Sequence, residues 1–220
     1  MIPRPIELLA QFQEKDALVT VRRRGDVHEV LFDGRILLAS DAHETEEELG
    51  RLAGTLEDRE GARVLVGGLG FGYTLRGVLD SVGAGARVLV AERVPRIVDL
   101  CRTLLAPLAR DPLADPRVTV ATCAVQEALG MGPFELVLLD VDNGPDWATF
   151  RDNAWLYSDA GVRACAAALA PGGRLAVWSG YPAQRFLPIL RRAGLQSSEI
   201  PLRVRGRQRA RAYVGDRRKS

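Results

Sequence analysis

The sequence predicts an α/β fold: a doubly wound, Rossmann-like, mostly parallel sheet preceded by a small antiparallel β-meander. Three observations lead to it. From residue 63 onward, short apolar runs alternate with stretches of helical spacing, the pattern of repeated βα units. The first run passes into "VLVGGLGFGYTLRGVL", residues 64–79, which places Gly67, Gly68, Gly70 and Gly72 between a strand and a helix. Residues 17–40 carry period-two patterning instead, which is the signature of half-buried strands.

Taken in order, "ALVTVRRRGDVHEVLFDGRILLAS" is broken by Arg24-Gly25-Asp26 and Asp33-Gly34, both good hairpin turns. It reads as a meander over residues 1–42, with the Rossmann-like domain over 43–220. In "DAHETEEELGRLAGTLEDREGA", Asp41 is an N-cap candidate with Glu44 three residues on, and Leu49, Leu52 and Leu56 follow at helical spacing. Strands are then expected at "RVLVGG", "RVLVAE", "RVTVATC", "FELVLLDVD" and "GRLAVWS". Helices are expected from Tyr73, from Pro95, near Val125, across 154–169 and from Ala183. The end, "LQSSEIPLRVRGRQRARAYVGD", alternates on both sides of Gly206 and reads as a closing hairpin.

The totals exclude several classes. Hydrophobic residues make up 47% and charged residues 26%, the balance of a soluble domain, and no apolar stretch reaches the length of a membrane span. The first residues lack the basic, apolar and small-residue regions of an export signal, so a cytoplasmic location is expected. Cys101, Cys123 and Cys165 are scattered without Cys-x-x-Cys spacing, which argues for buried thiols over a disulfide framework or a metal site. A net charge of +2 is too small to imply a polyanionic partner.

The chemistry concentrates at the glycine loop. In a doubly wound sheet, ligands bind at the carboxyl ends of the strands where the strand order reverses. Gly68, Gly70 and Gly72 let the backbone take unusual angles and let a ligand lie on it, while the following helix start offers N–H groups to an anion. The next strand ends in Glu92, where an acid commonly accepts hydrogen bonds from ribose hydroxyls. Together these point to an adenosine-containing ligand. The chain spends its remaining length on "ELVLLDVDNGPDW" and a hairpin, without a second mononucleotide-binding half, which favours an S-adenosyl donor over a dinucleotide. Asp140, an acid at a strand's carboxyl end beside that donor, can bind an ammonium group and take its proton.

Four stretches, "LFDGRILLAS", "VLVGGLGFGYTLRGVL", "DPRVTVATCAVQEAL" and "FELVLLDVDNGP", resemble the spermidine synthase (polyamine aminopropyltransferase) family within the class I S-adenosylmethionine-dependent methyltransferase superfamily. The resemblance implies that Gly68, Gly70, Phe71, Gly72 and Thr74 hold the donor's tail, Glu92 its ribose, and Cys123 and Ala124 its adenine. It implies that Asp140 faces the reacting amine and that the meander pairs across a homodimer; Asp142, close by in sequence, is a second catalytic candidate, with Asp146 near it. The departures matter equally. Phe71 replaces the family's loop aspartate, Leu37 a glutamine, Glu46-Glu47-Glu48 a Tyr-His-Glu, Cys123-Ala124 a Gly-Asp, and Asn143 a second acid.

A loop without an acid suits a donor that keeps its carboxylate, so the expectation is methyl transfer from S-adenosylmethionine to a small amine, with no metal. Aminopropyl transfer from decarboxylated S-adenosylmethionine is the alternative, and a non-catalytic binding protein the second alternative. Asn143, Trp147 and Tyr181 are candidate acceptor residues, the aromatic rings offering faces to a cation. Trp155 reads as packing, and His28 as structural. His43 precedes the first helix as a candidate proton carrier. Arg203, Arg205, Arg207, Arg209 and Arg211 recur at period two, which reads as one solvated face in preference to a nucleic-acid surface.

Overall fold

The computed structural model describes residues 5–15, 17–141, 143–145 and 151–219. The chain divides into two compact units, Met1–His43 and Glu44–Ser220.

In the first unit, β1 (Ile6–Glu14), β2 (Ala17–Arg24), β3 (Val27–Phe32) and β4 (Arg35–Ala39) form an antiparallel sheet in sequence order. The turns fall at the expected residues: Gly25, Asp33 and Gly34 all have positive φ, as tight hairpins of this twist require. Val19 and Val21 on β2 and their neighbour Val30 on β3 are buried. So is Glu29, whose carboxylate accepts from Arg24 at 2.5 Å and from Arg22 at 2.7 Å. The Arg24 bond holds Glu29 below the usual carboxylate range despite its burial.

The second unit opens with α1 (Glu44–Gly50), which tightens into a 3-10 turn over Arg51–Leu56. It continues through β5 (Arg63–Gly67), α2 (Tyr73–Leu79), β6 (Arg87–Ala91), α3 (Pro95–Cys101), β7 (Val118–Ala121), α4 (Val125–Ala128) and β8 (Phe134–Leu139). Then come α5 (Asp159–Ala168), β9 (Leu169–Ser179), α6 (Phe186–Arg192), β10 (Gln196–Val204) and β11 (Arg207–Asp216). Among the described residues the sheet runs β10-β11-β9-β8-β5-β6-β7. β5 to β9 are parallel, and β11 and β10 close the sheet antiparallel. Val64, Leu65 and Val66 on β5 and Leu136 to Leu139 on β8 are buried without alternation, as strands covered on both faces should be. The strand order reverses between β5 and β8, which fixes the switch point of the sheet.

Several expectations need correction. α1 begins at Glu44, so Asp41 stands too far upstream to cap it. The helix expected across 154–169 is two pieces: a 3-10 segment over Arg151–Tyr157, then α5, whose N-cap Ser158 accepts from the Gly161 amide at 3.2 Å. Trp155 is consequently 38% exposed and not a core residue. α6 starts at Phe186, three residues after Ala183. The five arginines do not share one face. A register shift between Leu202 and Arg203 sets Arg203 opposite Gln208, and Arg205 sits in the turn with φ 49°. Behind β9, the Tyr157, Phe186 and Tyr213 rings pack edge to face at 6.1 and 6.0 Å, each such pair adding about 0.5–1.5 kcal/mol beyond its burial. Among the described residues no helix is long and apolar enough to cross a membrane.

Candidate functional site

The site is built where the loops leaving β5 and β8 meet. Gly68 has φ 88° and Gly72 φ 90°, backbone conformations that side chains disfavour. A Cβ on Gly68 would overlap the Asp140 carbonyl oxygen and lie 3.1 Å from that carbonyl carbon, with Val141 Cγ1 at 3.2 Å. On Gly72 it would lie 2.9 Å from Pro112. The sequence suggests a ligand against these glycines. At Gly68 the close neighbour is the chain's own β8 end. Backbone bonds seal the junction: the Asp140 amide donates to the Gly67 carbonyl at 2.8 Å, and the Gly68 amide to Ala91 at 2.9 Å.

Phe71 is 3% exposed, its ring edge-on to Tyr73 at 6.2 Å, so the departure from the family's aspartate is a core-facing ring. Gly70, at φ 52°, accepts a hydrogen bond from the buried Cys101 thiol at 3.3 Å. Burial pushes that thiol up to about 12.

Glu92, 8% exposed, braces the loop from the end of β6. One carboxylate oxygen accepts from the Leu69 amide at 3.1 Å, the other from the Val94 amide at 2.8 Å. Burial raises its pKa while those amides pull it back. The Arg93 backbone amide also bonds the carboxylate, which leaves acceptor capacity for one further donor. On the next strand end, Cys123 is half-buried against the core and Ala124 is the N-cap of α4. Ala124 has no side-chain acceptor, so capping is limited to the Glu127 carboxylate accepting from its amide at 3.3 Å.

Across the switch point stands Asp140. The buried Thr74 hydroxyl, in the first turn of α2, donates to Asp140 Oδ2 at 2.5 Å. Burial pushes the Asp140 carboxyl up to about 6, against the Thr74 bond, which favours ionisation. The same Thr74 oxygen lies 3.2 Å from the Glu46 carbonyl. α1 comes that close because Gly50 and Gly77 face the neighbouring backbone. Side chains there would lie 2.7 Å from the Val78 amide nitrogen and 3.0 Å from the Glu47 carbonyl carbon. The Glu46 carboxyl is raised well above the usual range, first by burial, then by the negative charges of Asp140 and Glu47. Tyr73 feels the same field: burial, then Glu46 and Glu47, push its hydroxyl up to about 12.

Among the remaining candidates, Asn143 is exposed, and its carbonyl accepts from the Gly180 amide at 3.2 Å. Tyr181 is 51% exposed, its carbonyl accepting from Ser179 at 2.7 Å. Trp178 Nε1 donates to Thr45 Oγ1 at 3.2 Å, tying β9 to α1. Asp142 and Trp147 lie outside the described residues. The His43 ring is 2.9 Å from the Ser40 carbonyl within the N-terminal unit. Sequence reasoning missed Glu46. The one signal that could have found it is the pair of glycines, Gly50 and Gly77, inside two helical patterns.

No protein-family model matches the chain. A 171-residue segment is 31% identical to the polyamine aminopropyltransferases of Mycobacterium tuberculosis and Mycobacterium bovis, covering 74% of this chain and 31% of theirs. The matched segment thus spans about a third of the length of these curated relatives. Among solved structures, a spermidine synthase from Thermotoga maritima superposes with a TM-score of 0.73 at 19% identity, covering 97% of this chain and 74% of that one. A spermidine synthase in complex with the transition state analogue AdoDATO gives 0.71 at 18% identity, covering 97% and 73%.

Proposed function

We propose that this chain, a homologue of the polyamine aminopropyltransferases with a spermidine synthase-like fold, transfers an aminopropyl group from decarboxylated S-adenosylmethionine to a primary amine. The observation that carries the reading is the switch point itself, where the glycine loop is locked directly against Asp140 in a chain homologous to enzymes of that name. The methyl transfer preferred from the sequence gives way, because the relatives are named for aminopropyl transfer. The acid-free loop at Phe71 reflects a core ring more than a choice of donor.

The residues present fit the donor. Glu92, beyond the backbone amides it accepts from, keeps acceptor capacity for a ribose hydroxyl, and the positive-φ glycines 68, 70 and 72 put no side chain beside it. Cys123 and Ala124 flank the adenine position with a soft and a small side chain. The donor supplies a carbon bonded to a positively charged sulfur. The chain's own work is positional. Asp140, fixed by Thr74, holds the incoming amine by its ammonium, takes one proton, and leaves the nitrogen lone pair aimed at that carbon. As the C–N bond forms, the C–S bond breaks with its electron pair on sulfur, and the product leaves as a secondary ammonium that keeps the nitrogen's two remaining protons. A homodimer is the assembly we propose; exposed Ile6, Leu8, Leu18 and Ile36 on the N-terminal sheet support it.

The test is incubation with either donor and a panel of mono- and diamines, followed by mass spectrometry of the amine. Aminopropyl addition is expected. Methyl addition from S-adenosylmethionine, or no product from either donor, refutes the reading.

A further inference from the structure

At the opposite end of the sheet from Gly68 and Asp140 lies an open cleft of about 480 Å³, lined by Arg191, Gly194, Leu195, Gln196, Ser197 and Arg218. Its place follows from the strand register. Gln196, the first residue of β10, faces Asp216 on β11, and Asp216 faces Arg174, which precedes the partner of Leu139 along β9. The cleft therefore adjoins the amino ends of the parallel strands, with the glycine loop and Asp140 at their carboxyl ends. Two arginines line it, and among the described residues no acid does. The acids nearby are already matched: Arg192 donates to both oxygens of Asp159 at 2.7 and 3.0 Å, and Arg174 to both oxygens of Asp216 at 2.7 and 3.1 Å. Arginines at the end of a helix often serve its last carbonyls. At the end of α6 the backbone does that work. The amides of Ala193, Gly194 and Leu195 turn back onto the carbonyls of Ile189, Leu190 and Arg191, with Gly194 at φ 83°. Arg191 donates instead to Ser197 Oγ at 3.1 Å, which leaves its other N–H groups and the Ser197 hydroxyl proton to be given to a ligand. Arg218 is fixed through its main chain: its carbonyl accepts from the Gly172 amide at 3.3 Å, and the Arg217 amide donates to the Gly173 carbonyl at 2.8 Å. The mouth is open, since a Cβ on Gly194 would meet nothing within 4 Å.

We infer that this cleft is a second binding site, for a small phosphate ester. The phosphoryl oxygens accept from the Arg191 and Arg218 guanidinium groups and from the Ser197 hydroxyl, and the body of the ester lies over Leu195 and Gln196. Charge decides the class of ligand. The sulfonium donor and the amine acceptor of the transfer reading are both cations, which two arginines without acidic partners repel, whereas guanidinium groups match phosphate oxygens in charge and in fork geometry. Size decides between an ester and the bare ion. The cleft falls within the range of about 300–1,000 Å³ that small-molecule sites occupy, more than inorganic phosphate alone would fill. The site is separate from the transfer reading and does not depend on it.

The experiment is titration calorimetry of the full chain with ribose 5-phosphate, glucose 6-phosphate and glycerol 3-phosphate, with inorganic phosphate as the free anion and ribose as the uncharged control. Saturable binding of at least one ester is expected, tighter than that of inorganic phosphate, absent for ribose, and weaker as salt is raised. Arg191→Gln and Arg218→Gln should each weaken it roughly tenfold. Gln196→Glu, which sets an acid of the same shape in the cleft, should weaken it at least as much. Arg205→Gln, in the exposed turn between β10 and β11, controls for a general loss of positive charge and should bind within about twofold of wild type. All four positions are exposed, so the variants should melt close to the wild type. Inorganic phosphate binding as tightly as every ester overturns the assignment to an ester. No saturable binding of any ester, or binding that neither Arg191→Gln nor Arg218→Gln weakens, overturns the site. The transfer reading stands or falls separately, on the amine product.

Discussion

Gly68→Ala tests whether the β5 and β8 ends are truly interlocked. The substitution does two things. It forces a Cβ into a φ of 88°, which costs an L-residue about 1–2 kcal/mol. It also drives that Cβ into the Asp140 carbonyl, with the carbonyl carbon at 3.1 Å. Backbone cannot swing aside as a long side chain does, so the two strand ends must part, at about 1–3 kcal/mol more. Gly194 provides the control in the same unit: its φ is 83°, and nothing lies within 4 Å of an added Cβ. For a chain of this size each kcal/mol moves Tm by roughly 2–4 °C. Gly194→Ala should therefore lower Tm by roughly 2–8 °C, and Gly68→Ala by roughly 4–20 °C. Differential scanning calorimetry of the pair measures both. Equal shifts would refute the interlock, because the shared φ penalty would then account for everything. The same displacement carries Asp140 away from Thr74, so Gly68→Ala should lose transfer activity well below its melting temperature.

Asp140, raised to about 6 in the folded chain, binds its proton more tightly there than when unfolded. Its contribution therefore favours folding at low pH and is lost as pH rises from about 4 through about 6; Asp140→Asn should flatten that segment of a denaturation-versus-pH series and be the more stable chain at pH 7. Thr74→Val removes the hydroxyl that favours ionised Asp140, and should shift the acidic limb of the kcat/KM profile to higher pH. Glu29→Ala should lower the stability of the N-terminal unit by about 1–3 kcal/mol in chemical denaturation. Because Glu29 is held below its ordinary range, the wild-type advantage over Glu29→Ala should be lost only as pH falls through that depressed value. Under a thiol reagent, half-buried Cys123 should be modified first, while Cys101 and Cys165, buried and both pushed up to about 12, should react only on unfolding.

The sheet was legible because β5, β6, β7 and β8 are short apolar runs bounded by turn residues, a signal that survives without tertiary information. Asp140 was legible for the same reason, as the acid that ends a buried strand. The break at Ser158 lay in the sequence too, as a Ser with Gly three residues on, but the helical apolar stripe across 154–169 outweighed it. Glu46 was not legible. Its neighbour across the helix pair, Thr74, is 28 positions away, and the approach depends on two helices touching at Gly50 and Gly77. Hydrophobic periodicity describes which face of a helix is buried and not how near the next backbone comes. The arginine pattern failed because period two assumes an unbroken register, and one irregularity beside Leu202 shifts every later partner.

Phe71 gives the last step. In the sequence it is a missing acid in a loop otherwise like those of the resembled family, and the natural reading is that the site has lost negative charge. The fold points the other way. The ring is turned into the core against Tyr73, and Tyr73 in turn lies in the field of Glu46 and Glu47. The acids absent from the loop stand on α1, where Glu44, Glu46 and Glu47 fall in the first turn and the Glu46 carbonyl lies 3.2 Å from Thr74 Oγ1. An acid in place of the buried Phe71 would lose its water among apolar neighbours and be pushed toward its protonated form. An apolar residue at 71 is therefore what the packing of this loop demands, and the departure from the resembled family's pattern there is a matter of burial before it is a matter of charge.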